Sequence, residues 1–128
     1  MIPDSALVLI VDDSPRNRKL VSDVLRFAGL RTVEAATATE GLALASAHLP
    51  DVILMDLRLP DLDGTEAVRA LRTEPRTSRI PVVAMTALRV DDTDGWLVGA
   101  GFAGAIGKPI DIETLPDLVL RFAARGAE

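Results

Sequence analysis

The sequence predicts an α/β fold, a five-stranded parallel sheet with helices on both faces. Three observations predict it. Continuous aliphatic runs such as Leu7-Val8-Leu9-Ile10-Val11 and Val52-Ile53-Leu54-Met55 recur along the chain, as strands buried on both sheet faces do. Stretches with apolar residues at helical spacing lie between them, so strand and helix alternate five times. The runs also end on polar or charged residues, which a buried strand does not need. In a parallel sheet such residues gather at the carboxyl edge, where open α/β folds place their ligands.

The elements follow in order. Leu7 to Val11 is a doubly buried strand ending on Asp12-Asp13. Ser14 and Pro15 suit the cap and first turn of a helix, and Leu20, Val21, Val24, Leu25 and Ala28 recur at its spacing before Gly29 stops it. Arg31 to Ala35 alternates weakly and suits a sheet edge. Thr37 with Glu40 forms a capping box, Leu42, Ala45 and Leu49 carry a helical face, and Pro50 ends it. Asp56 closes the third strand, Gly64 marks a turn, and Ala67, Val68 and Leu71 continue as a short helix. Pro81 to Thr86 is a fourth buried strand with a hydroxyl at its end. Asp91 to Gly101 is the weakest helix, with Gly95 and Gly99 inside it and Trp96, Leu97 and Val98 as its apolar anchors. Phe102 to Ile106 is a fifth strand leading into Gly107-Lys108-Pro109. Asp111 caps a last helix through Leu115, Leu118, Val119 and Phe122, with Pro116 distorting its first turns. Right-handed crossovers favour the flavodoxin-like strand order 2-1-3-4-5, which puts the weak second strand on the edge.

Composition narrows the function classes. A chain of 128 residues with 48% hydrophobic and 26% charged residues is expected to form one domain, 1–128, with its core over about 7–122. A net charge of −5 gives no electrostatic case for direct nucleic-acid binding or an anionic membrane. The absence of cysteine removes disulfides, thiolate metal sites and thiol nucleophiles. The run from Ala6 to Val11 is too short for a signal or membrane-inserting segment, so a cytoplasmic location is the expectation.

Chemistry concentrates at the strand ends. Asp12 and Asp13, Asp56, Thr86 and Lys108 converge on one edge in this topology. Three carboxylates in one cleft repel each other unless a cation neutralises them, and oxygen-only donors point to a hard ion, Mg²⁺. A hydroxyl and an ammonium beside that ion are what a phosphoryl group needs for its oxygens, and a carboxylate is an established nucleophile for it.

With Val11-Asp12-Asp13, Met55-Asp56, Leu59-Pro60 with Gly64, Thr86-Ala87 and Lys108-Pro109 in this order and spacing, the chain resembles a receiver domain of the two-component response regulators. The likeness spans Leu7 to about Phe122. It implies Asp56 as phosphoacceptor and a Mg²⁺ ion held by Asp13, Asp56 and the Arg58 backbone carbonyl, with Asp12 acting through water. It further implies Thr86 hydrogen-bonding the phosphoryl group, Lys108 pairing with it, and a cis bond at Pro109. A histidine kinase or histidine phosphotransfer protein is the implied donor, a downstream protein the implied target, and a homodimer is compatible with the family. The implied chain is no enzyme apart from its own aspartyl phosphorylation and dephosphorylation. Ending just after the fifth helix, it is expected to be a stand-alone receiver or the excised receiver of a longer DNA-binding regulator. One departure stands out: receivers usually carry Tyr or Phe three residues before the lysine, and here that residue is Ala105. A constitutive protein-binding module with little phospho-switching is the alternative that this departure raises.

Other features admit plainer readings. Arg16, Arg18 and Lys19 form either a solvated face or a contact for the histidine-bearing partner. His48 suits a helix C-terminus. Trp96 is either core or, if exposed, a partner anchor. Asp61-Leu62-Asp63-Gly64-Thr65 matches the DxDGT signature of haloacid-dehalogenase-type phosphatases. In that family the signature directly follows an apolar strand, whereas Pro60 and four other residues separate Asp61 from Met55, so the match is read as coincidence.

Overall fold

In the computed structural model residues 6–87 and 90–127 are described; residues 1–5, 88, 89 and 128 of the expected domain lie outside them. Five strands, β1 (Leu7–Val11), β2 (Arg31–Ala35), β3 (Val52–Asp56), β4 (Val82–Thr86) and β5 (Gly104–Gly107), alternate with five helices. The helices are α1 (Pro15–Phe27), α2 (Ala38–His48), α3 (Gly64–Thr73), α4 (Val90–Ala100) and α5 (Leu115–Ala127). All pairings are parallel and the order is β2-β1-β3-β4-β5, as the alternation predicted.

The two faces of the sheet sort the strand residues by parity. Leu9, Val11, Ile53, Met55, Val82 and Ala84 pack with α2, α3 and Leu97 of α4. Val8, Ile10, Val52, Leu54, Val83 and Met85 pack with Val21 and Leu25 of α1 and with Leu115 and Val119 of α5. Every residue of β3 and β4 is buried, which is why both read as unbroken apolar runs. Burying each of these aliphatic side chains stabilises the fold by about 1.5–3 kcal/mol. β2 is half exposed, in keeping with its place at the edge.

Local signals set the helix ends. Ser14 Oγ accepts from Asn17 N at 3.2 Å with Pro15 in the first turn, and Gly29 closes the far end at φ 96°. Thr37 Oγ1 accepts from Glu40 N at 3.1 Å, while Glu40 Oε1 accepts from Ala36 N at 2.9 Å, one residue ahead of the usual box partner. Two expectations need correcting. β5 begins at Gly104 rather than Phe102, because Phe102 N donates to Leu97 O and Gly101, at φ 113°, still belongs to the end of α4. α5 begins at Leu115, because the Asp111 carboxylate instead accepts from Glu113 N in a preceding turn. Pro116 then falls in the first helical turn, where its missing N–H needs no partner.

Candidate functional site

The carboxyl ends of β1, β3, β4 and β5 form one cleft. Register explains why: Val11 stands beside Met55, Asp56 beside Met85 and Thr86 beside Gly107, so the residues that end each strand share one level. Asp13, Asp56, Leu57, Arg58, Thr86, Ala87 and Lys108 line a cavity of about 320 Å³ there. Asp12 is wholly buried just behind it, Asp56 and Thr86 are buried, and Asp13 is exposed. All the expected site residues therefore lie in or against one cleft.

Asp12, Asp13 and Asp56 each bring a carboxylate oxygen to within 4.8 Å of the others. That oxygen-only set suits a hard divalent cation such as Mg²⁺, which keeps several waters and takes few protein ligands. Lys108 Nζ lies 3.0 Å from Asp56 Oδ2 and 3.5 Å from Asp12 Oδ2. Burial pulls the Lys108 pKa down, but the hydrogen bond to Asp56 and the charges of Asp56 and Asp12 outweigh it and hold the ammonium above its ordinary value. A cis Lys108-Pro109 bond follows β5, as the resemblance implied.

Several supporting contacts were not legible in the motifs. Asp12 Oδ1 accepts from Ser14 N at 2.9 Å, Asn17 Nδ2 donates to Asp12 Oδ2, and Arg18 Nη1 donates to the Asp12 carbonyl at 2.7 Å. Arg18 also pairs with Glu34 at 3.5 Å, so two of the first helix's polar residues serve the cleft wall rather than a solvated face. Their position in the first turn after Asp12-Asp13 was the available signal. Arg58 N donates to Asp56 Oδ1 at 2.9 Å, and Arg58 bridges to Asp63 across the loop after β3. Gly64 is required there by close approach: a Cβ would stand 2.9 Å from Leu57 Cα and 3.1 Å from the Asp56 carbonyl, both backbone atoms.

Other singled-out residues fall elsewhere. Asp51 Oδ2 accepts from Leu7 N at 2.7 Å and ties the start of β3 to β1. His48 is exposed at the end of α2. Trp96 is about half exposed while its neighbour Leu97 is a buried anchor of α4. Asp61 stands in a loop against the start of α2 and does not directly follow a strand, since β3 ends at Asp56, which removes the phosphatase reading of its motif. Ala105 packs against the core on the α4 side of the sheet, with no ring in its place. Among the described residues no helix is long and apolar enough to cross a membrane.

Comparisons with known proteins agree with this geometry. The family model of the response regulator receiver domain matches residues 8–120. The polar-differentiation response regulator DivK of Brucella ovis is 35% identical over 105 residues, covering 82% of this chain and 85% of DivK. The chemotaxis response regulator CheY4 of Vibrio cholerae superposes with a TM-score of 0.86 at 33% identity, covering 92% of this chain and 98% of that one. The receiver domain of a sensor histidine kinase of Pseudomonas aeruginosa, solved with a magnesium ion in its active-site cleft, superposes at 0.84 with 30% identity, covering 94% and 98%. By sequence, topology and the contents of its cleft, this chain belongs to the response regulator receiver domains of two-component signalling.

Proposed function

We propose that the chain accepts a phosphoryl group from a phosphohistidine onto a carboxylate oxygen of Asp56 and signals through the surface that changes as a result. One observation carries the reading: the Asp56 carboxylate sits in contact with Lys108 at 3.0 Å and within 4.8 Å of two further carboxylates, in an open cleft that Thr86 also lines. In the reaction an Asp56 oxygen bonds to phosphorus as the phosphorus–nitrogen bond of the donor breaks, and the imidazole departs with that electron pair. Lys108 and the Thr86 hydroxyl take up the negative charge of the transferred oxygens. Asp13, Asp56 and the Arg58 carbonyl would hold Mg²⁺ directly, with Asp12 acting through water. When bound there, the ion would supply charge neutralisation for the phosphoryl group. The magnesium ion in the active-site cleft of the kinase receiver supports, by likeness, a Mg²⁺ site in this cleft.

The donor is a histidine kinase or a histidine phosphotransfer protein, and the receiving partner is a protein. Arg16, Lys19 and the half-exposed Leu20 present a basic and apolar α1 surface, starting beside the cleft, to the donor. A second reading, a constitutive binding module, is favoured by Ala105, which leaves no aromatic ring to follow Thr86.

Incubation with Mg²⁺ and a small phosphodonor is expected to add one base-labile phosphoryl group, detected by intact-mass spectrometry and absent from Asp56→Asn. Equal incorporation in that variant overturns the assignment. Amide NMR of the phosphorylated chain separates the two readings: shifts reaching α4 and β5 support switching, and shifts confined to the cleft favour the constitutive module.

A further inference from the structure

We infer that Asp61 is a positioning residue for the divalent-cation site: it locks the loop after β3, which carries Arg58, to the first turn of α2. The inference rests on the cation site described under the proposed function.

The bonds that shape this loop are mostly local. Arg58 N bonds the Asp56 carboxylate, Gly64 N bonds Leu57 O at 3.1 Å, and Arg58 bridges to Asp63. Leu57 N reaches Met85 O at 3.3 Å, toward β4 and away from the β1 acids. Leu59 and Leu62 lean on the core, a contact that fixes depth better than direction. Asp61 supplies the directional link to the other side. Its Oδ1 accepts from Ala38 N at 2.9 Å, and its Oδ2 accepts from Thr39 N at 2.8 Å and from Thr39 Oγ1 at 2.5 Å. A carboxylate is favoured at a helix N-terminus, and these contacts give this one a fixed orientation as well.

The helix start on which Asp61 seats is itself tied to the other half of the site. Gly41 approaches Val11 so closely that a Cβ would stand 2.8 Å from Val11 Cγ2, and Val11 immediately precedes Asp12-Asp13. Asp12 N in turn donates to Ala35 O at 3.0 Å, just ahead of α2. The first turn of α2 is therefore a strut with the β1 acids on one side and the Arg58 loop on the other. The separation of those two groups is what a cation bridging them must match. The cap of α2 has its own residue in Thr37, so Asp61 is free to serve the loop.

Calorimetric titration of the purified full chain with MgCl₂ alone tests this, with thermal melts alongside. Asp61→Ala is expected to weaken Mg²⁺ binding about tenfold, the low end of what outer partners of metal ligands contribute, with Asp61→Asn intermediate. Thr37→Ala, which loosens the same helix end without touching the loop, is expected to lower the melting temperature and leave Mg²⁺ affinity within about twofold of the unsubstituted chain. Unchanged affinity in Asp61→Ala, or an equal loss in Thr37→Ala, overturns the positioning role. If Asp61→Ala does not fold, Asp61→Asn decides by the same criterion. An unsubstituted chain that binds no Mg²⁺ overturns the reading of the cleft, and this inference with it.

Discussion

Asp61 and Lys108 are charged side chains held in opposite ways, and their titrations have opposite signs. The side-chain hydrogen bond from Thr39, followed by the Thr39 and Ala38 amides, holds the Asp61 carboxyl well below its ordinary 3.8. A depressed carboxylate contributes stability that is present above its unfolded pKa and lost as pH falls through the folded one. The stability deficit of Asp61→Asn is therefore expected to hold from neutral pH down to about 4 and to shrink below that, read as the difference in urea midpoints. A deficit as large at about pH 3 as at neutral pH contradicts the anionic seat on α2. Lys108 has its pKa raised above 10.5, so its contribution is complete below that value and fades as pH rises through the folded pKa. With Lys19 the one other lysine and no tyrosine or cysteine present, few groups obscure that alkaline limb. Stability is expected to fall above about pH 10.5 in the unsubstituted chain and not in Lys108→Met. The acids, Thr86 and Lys108 were legible at this scale because each stands at the carboxyl end of a strand. The seat of Asp61 was not, because its partners lie 22 and 23 residues earlier and nothing local marks a cap supplied from outside the helix.

At the scale of elements, β5 and α5 meet through a glycine and a ring. A Cβ on Gly104 would stand 2.6 Å from Phe122 Cζ and 2.8 Å from Cε1, so the ring occupies the space a side chain would take. The Arg125 guanidinium lies 5.2 Å from the centre of the same ring and covers it further. Gly104→Ala is expected to cost about 1–3 kcal/mol by forcing the ring aside, measured by urea denaturation. Adding Phe122→Leu should recover part of it, so that the double variant loses less than the sum of the two; strict additivity sinks this account of the contact. The same elements show where sequence reading runs short. β3 and β4 were plain because burial on both faces leaves an unbroken apolar run. The start of β5 was not, because Phe102 is buried in a turn, and a buried turn residue looks like a strand residue when only hydropathy is read. α5 started late for a related reason: Asp111 offers its carboxylate to a turn as readily as to a helix.

For the molecule as a whole, the cleft sets a balance between the charges it gathers and the cation it suits. Three carboxylates with mutual approach within 4.8 Å face one ammonium, so the site carries surplus negative charge in a chain already at −5. That repulsion opposes folding in the absence of a divalent ion, and Asp13, the exposed member, is the one whose removal disturbs least else. Asp13→Asn is therefore expected to raise the melting temperature by about 2–4 °C in buffer stripped of metal, the effect of relieving on the order of 1 kcal/mol in a chain this size. Mg²⁺ should reverse the ranking. A ligand that binds only the folded state at a hundred times its dissociation constant adds about 2.7 kcal/mol, and the unsubstituted chain, with its full donor set, gains more of this than the variant. The two melting temperatures are thus expected to cross as Mg²⁺ is titrated in. Curves that coincide throughout the titration would show that Asp13 neither strains the folded chain nor binds the ion, and that the charge gathered at the sheet edge has some other use.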